Sequence, residues 1–104
     1  MTFYTRKTDG LYISLELWDG DIELMAAWLG GDVAKRDGVP VIVGMDGYVV
    51  FITEAPDRAY VRGQIGWLDV RVGDGIEVLR DGLKLYVAER LGHDYALVPE
   101  KESL

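Results

Sequence analysis

Turn signals interrupt this chain before any apolar segment grows long. Gly20, Gly30-Gly31, Asp46-Gly47, Pro56-Asp57, Gly73-Asp74-Gly75 and Asp81-Gly82 punctuate it, and glycine occurs 13 times in 104 residues. Glycine supplies the positive φ that tight turns need. The longest uncharged run resembling a span, Gly38 to Met45, falls far below the roughly 20 residues a bilayer requires. Met1 to Gly10 is short and polar, with Arg6 and Lys7 but no apolar stretch behind them, so no secretory signal is visible. A cytoplasmic protein with no membrane partner is the expectation.

Between the turns, periodicity assigns the elements. Leu11, Ile13, Leu15 and Leu17 alternate with Tyr12, Ser14 and Glu16, the period-two pattern of a half-buried strand. Trp18-Asp19-Gly20-Asp21 then turns the chain, and its carboxylates suit a helix start, where they accept orphan N–H groups and complement the dipole. Ile22, Met25, Ala26 and Leu29 share one face of an amphipathic helix over Asp21 to Leu29, which Gly30-Gly31 stops. From Gly38 onward the chain is rich in β signals. Val41–Val43 and Tyr48–Thr53 flank a hairpin turn at Met45-Asp46-Gly47. Short strands are expected at Tyr60–Arg62 and Leu68–Val72, and Pro56-Asp57 separates the first of these from its predecessor. Ile76–Arg80 and Leu83–Ala88 flank Asp81-Gly82, the strongest hairpin signal in the chain. Ala88 to His93 fits a single helical turn before a closing strand at Tyr95–Val98.

One helix near the N-terminus with a run of strands after it reads as α+β, not as alternating βαβ units. The expected architecture is one N-terminal-half amphipathic helix packed on a curled antiparallel sheet, or on a partly open small β-barrel, of about six or seven short strands. At this length one domain over 1–104 is expected, with 1–10 and 100–104 poorly ordered. Nearly half the residues are hydrophobic and none is cysteine, so the core needs no disulfide staples. The missing cysteine also excludes a thiol nucleophile and a Cys-based zinc site. Eleven Lys+Arg against 18 Asp+Glu give a net charge of −7. Such a balance argues against direct binding to a nucleic-acid backbone, whose affinity needs a basic surface.

Several segments carry a resemblance. Trp18-Asp19-Gly20, Ala26-Ala27-Trp28-Leu29-Gly30-Gly31, Gly44-Met45-Asp46-Gly47 and Gly73-Asp74-Gly75-Ile76, with Gly82 and Tyr95 downstream, stand out. Together they resemble a family of small bacteriophage-encoded proteins with an Ala-Ala-Trp-x-Gly-Gly helix end and a Pro-Gly-Asp-Trp-Ile-like turn and strand. The likeness spans roughly Leu11 to Val98. It departs at Val72, where the family has Pro, at Gly75, where it has Trp, and at Leu83, where it has Glu. The family has no established activity. What the resemblance implies is a phage genome and action in a bacterial host's cytoplasm.

Catalytic chemistry finds little support in the residues. The lone histidine, His93, sits beside Asp94 and reads as a surface or turn residue. The only serines are Ser14, on a strand, and Ser103, in the tail. Asp19 and Asp21 are explained by helix capping, and no Asp-x-Asp-x-Asp-Gly loop is present for a hard cation. Neither a cofactor, a metal nor a catalytic residue is assigned. Arg62-Gly63-Gln64-Ile65-Gly66 is the one stretch combining a cation with two flexible glycines, where a backbone can approach an anionic ligand. A bulge or tight bend between strands is the simpler account of those glycines.

Aromatic residues are abundant. Tyr12 and Trp18 fall opposite the apolar face of their strand, and Trp67 and Tyr86 fall opposite Leu68/Val70/Val72 and Leu83/Leu85/Val87. Exposed aromatic patches mark partner sites. The leading expectation is therefore a non-enzymatic, homo-oligomeric binding protein that engages a host or defence component. Its contacts would be Trp18, Tyr60, Arg62 and Trp67. Alternatives are an oligomeric sponge for a nucleotide-like ligand, an acidic nucleic-acid mimic, and a virion-assembly accessory.

Overall fold

A computed structural model of the chain describes residues 1–99, so the expected fraying of 100–104 lies outside the described residues. The elements run β1 (Thr2–Arg6), β2 (Tyr12–Leu17), α1 (Ile22–Leu29), β3 (Asp32–Arg36), β4 (Val39–Val43), β5 (Val49–Ala55) and β6 (Arg58–Arg62). They continue with β7 (Trp67–Arg71), β8 (Gly75–Leu79), β9 (Gly82–Tyr86), α2 (Ala88–Asp94) and β10 (Tyr95–Leu97). Two five-stranded antiparallel sheets result, ordered β10-β1-β2-β8-β9 and β3-β4-β5-β6-β7.

The α+β class stands, and its finer description is corrected. Ten strands replace six or seven, and two sheets replace one curled sheet or a part-open barrel; the described residues form no closed barrel. Two of the extra strands have little apolar alternation of their own. The first, β1, lies in the stretch expected to be poorly ordered. It pairs with β2 on one side and β10 on the other, so its backbone hydrogen bonds are satisfied along both edges. The second, β3, is an edge strand held by β4, with Val33 opposite Ile42 and Ala34 opposite Val41.

Local signals place α1 where expected. Asp21 is the N-cap, accepting from the N–H groups of Glu23 at 3.0 Å and Leu24 at 3.3 Å, while Asp19 accepts from the Asp21 N–H at 2.9 Å. Gly30 ends the helix at φ +71°, a left-handed conformation that favours glycine. Met25 and Ala26 are buried, and the Trp28 indole N–H donates to the Ile76 carbonyl of β8 at 2.7 Å. This helix thereby clamps both sheets. Its inner face completes a core of Trp18, Ile42, Phe51, Val61, Val70 and Ile76. A second cluster, Ile13, Leu15, Tyr86, Leu91 and Tyr95, lies under α2.

Candidate functional site

Strand β6 reads Arg58-Ala59-Tyr60-Val61-Arg62, and its pleat separates two surfaces. Ala59 and Val61 are fully buried, which turns Arg58, Tyr60 and Arg62 to the other side of the sheet. Across the ladder Arg62 pairs with Trp67, Tyr60 with Asp69 and Arg58 with Arg71. On β5, Ile52 sits opposite Tyr60 while Phe51 faces the core opposite Val61. The outer face of β5-β6-β7 therefore gathers Tyr60, Arg62 and Trp67, three of the four expected contact residues. Trp67 is 46 % exposed.

Charge is paired across this face. Arg58 approaches Asp69 through two nitrogens at 3.1 and 3.3 Å and Glu54 at 3.5 Å, and Arg71 lies 3.7 Å from Asp69. The Tyr60 hydroxyl donates to Glu54 at 2.7 Å. Arg62 reaches Asp46 at 3.1 Å and lies over the Tyr48 ring at 5.5 Å, and Arg58 lies over Tyr60 at 5.7 Å. The Tyr48 backbone N–H, and then Arg62, hold the Asp46 carboxyl below its ordinary range; Arg58 does the same for Asp69. Its hydrogen bond to Glu54 pushes the Tyr60 phenol up. Exposed ion pairs of this kind add little stability. They give Arg58, Tyr60 and Arg62 defined partners on the neighbouring strands and turn.

Trp18, the fourth expected contact, is a correction. It is 2 % exposed and packs edge-on against Phe51 at a centroid distance of 5.0 Å. Period-two parity assigned it to the wet side, but β2 ends at Leu17. There the chain bends between the sheets, with the Trp18 N–H donating to the Asp74 carbonyl and its own carbonyl accepting from Gly73. Tyr86 is likewise buried, packed on Tyr95 at 5.5 Å and donating to Glu77 at 2.7 Å. Tyr12, by contrast, is exposed as expected.

The Arg62–Gly66 segment forms a tight reversal between β6 and β7, closed by the Gly63 N–H donating to the Gly66 carbonyl at 2.7 Å. Beside it lies an open groove of about 630 Å³ walled by Arg62, Gly63, Trp67, Asp81 and Leu83. The Gln64 side chain crosses to the Asp81 carbonyl at 2.7 Å. The Gly63 N–H is engaged in the turn, and Arg62 is paired with Asp46 within the subunit.

His93 lies in α2, its Nδ1 at 2.7 Å from Asp94, and its side chain is largely exposed. Asp94 is held below its ordinary range chiefly by that contact. Among the described residues no group of three His, Asp or Glu side chains is placed to hold a metal ion, and no helix is long and apolar enough to cross a membrane.

Sequence reasoning missed Asp46, Tyr48, Glu54, Arg58 and Asp69 as members of this face. The signal for Arg58 was present, because Arg58, Tyr60 and Arg62 alternate with Ala59 and Val61. The others depend on cross-strand register. No protein-family model, no curated protein and no solved structure matches the chain.

Proposed function

We propose that this chain is a non-enzymatic binding protein, encoded by a bacteriophage, that docks a host or defence protein in the bacterial cytoplasm through the outer face of β5-β6-β7. The observation carrying this reading is the pairing of Arg62 with the half-exposed Trp67, flanked by Tyr48 and Tyr60. Arg, Trp and Tyr are the residue types that anchor protein interfaces. Charge favours a protein over a polyanion. Arg58, Arg62 and Arg71 balance Asp46, Glu54 and Asp69, leaving the face neutral on a chain of net charge −7. The phage origin rests on the family resemblance, and self-association through the same aromatics accompanies the reading.

The test uses immobilised wild-type chain beside its Trp67→Ala and Arg62→Glu variants. A bacterial protein captured by the wild type and lost by both variants, with their melting temperatures unchanged, supports the docking face. Equal capture by all three chains refutes it. Light scattering across a concentration series reports self-association in the same samples.

One observation favours a second reading, a pocket for a nucleotide-like anion: the groove beside Arg62 and Gly63. The pairing of Arg62 with Asp46 and the presence of the acidic residue Asp81 in the groove lining weigh against it. A nucleotide present at 100 times its dissociation constant would add about 2.7 kcal/mol of stability, which a thermal-shift screen reads directly.

A further inference from the structure

A second concavity lies away from the groove beside Arg62. It measures about 430 Å³ and is walled by Trp18, Ile22, Val39, Pro40, Ala55 and Pro56, with Thr53 and Glu54 completing the rim. That volume falls within the range of small-molecule sites. Its polar groups are almost all engaged. The Thr53 hydroxyl donates to the Pro40 carbonyl at 2.8 Å, and the Glu54 carboxylate takes the Tyr60 hydroxyl and faces Arg58. The Trp18 indole N–H is different: it is buried and has no hydrogen-bond acceptor. An indole nitrogen only donates, and leaving such a donor buried and unpaired costs about 1–3 kcal/mol.

We infer that this cleft is a binding site for a small, uncharged organic molecule whose apolar body fills the wall between Ile22 and Pro56 and whose single acceptor atom, a carbonyl oxygen or ring nitrogen, takes the Trp18 indole N–H. Shape and apolar lining select the body, and the unpaired donor selects the acceptor. Electrostatics select the absence of negative charge, because Glu54 stands in the rim and Asp57 follows Pro56 on a chain of net charge −7. Trp18 is only 2 % exposed and its indole nitrogen is sealed from solvent, so the proposal requires the cleft wall to give way locally for the acceptor to seat. A register shift between Thr53 and Ala55 sets the course of the β5 end where it borders the cleft. The cleft meets the docking face only at Glu54, which lines its rim and also pairs with Tyr60 and Arg58, whereas Trp18 packs on the core side of the sheet.

Nitrogen-labelled protein titrated with cyclohexanone, toluene and hexanoate tests it. The chain has three tryptophans, so the indole signals of Trp28 and Trp67 serve as internal controls. Cyclohexanone is expected to shift the Trp18 indole signal saturably and to leave the other two in place. Toluene, lacking the acceptor, and hexanoate, carrying charge, are expected to bind roughly tenfold more weakly or worse. Val39→Trp fills the cleft from its rim without touching the donor, and is expected to abolish the shift while the chain stays folded. Equal binding of toluene and cyclohexanone would overturn the role of the donor. A Trp18 signal that no probe moves, or one that exchanges magnetisation only with a resident water, would overturn the site.

Discussion

The carboxylate of Asp74 accepts a hydrogen bond at 2.8 Å from the backbone N–H of Ala88, the first residue of α2. Its other oxygen takes the Arg71 N–H at 2.9 Å. Val87, at the N-cap position, has no side chain able to cap. A carboxylate from the β7–β8 turn therefore does for α2 what Asp21 does for α1 from its own sequence position. Asp74 is the one buried charged residue among those described.

Removing that carboxylate leaves two buried or half-buried N–H groups without an acceptor. Asp74→Ala is expected to lower stability by about 2–3 kcal/mol. Asp74→Asn keeps one acceptor oxygen and should cost less. Urea denaturation of both variants gives the comparison, and a loss below about 0.5 kcal/mol for Asp74→Ala would contradict the capping role.

Phe51 is fully buried between the sheets and meets Trp18 edge-on. Phe51→Ala opens a cavity at this junction and is expected to cost about 3–5 kcal/mol. Because Trp18 is the neighbour, the change should also shift the tryptophan emission spectrum. Equilibrium unfolding followed by fluorescence measures both effects at once.

Trp67 behaves oppositely. It is half-exposed on the outer face, so Trp67→Ala is expected to change stability by less than about 1 kcal/mol. Calorimetry of the purified variant checks this, and a large loss would assign Trp67 to the core of the subunit instead of to its recognition surface.

Burial, reinforced by the hydrogen bond to Glu77, pushes the Tyr86 phenol well above its ordinary value near 10. The folded state thus prefers the protonated phenol more strongly than the unfolded chain does. Its contribution is complete below about pH 10 and disappears as the pH climbs beyond it. Stability measured from pH 8 to 11 should decline for the wild type and decline less for Tyr86→Phe. Parallel curves would show that Tyr86 titrates alike in both states.

At the acid end, Arg6 pairs with Asp9 at 2.6 Å and holds its carboxyl down to about 2. A depressed folded value gives stability that is present above the ordinary carboxylate range and is lost as pH falls toward 2. Asp9→Asn should flatten the wild-type decline between pH 4 and pH 2, read by circular dichroism. A variant curve as steep as the wild type would place the acid response elsewhere.

Much of the fold was legible because its signals are local. Asp19, Asp21 and Gly30 mark α1 by chemistry that acts within a few residues, and Asp81-Gly82 marks the β8–β9 hairpin in the same way. The candidate site was legible in part. Tyr60, Arg62 and Trp67 do share one face, because β6 and β7 each carry a run whose parity survives along the strand. Trp18 and Tyr86 were misplaced where a neighbouring element, and not parity, sets burial.

Strand-forming runs, helix ends and turn positions are written into short stretches of this chain, since a cap or a tight turn depends on side chains only a few positions apart. Pairing of β1 with β10, division into two sheets, the capping of α2 by Asp74 and the sealing of Trp18 against Phe51 emerged only on folding. Each joins residues far apart along the backbone. Such contacts form through the collective burial of both sheets against α1, which no local pattern encodes.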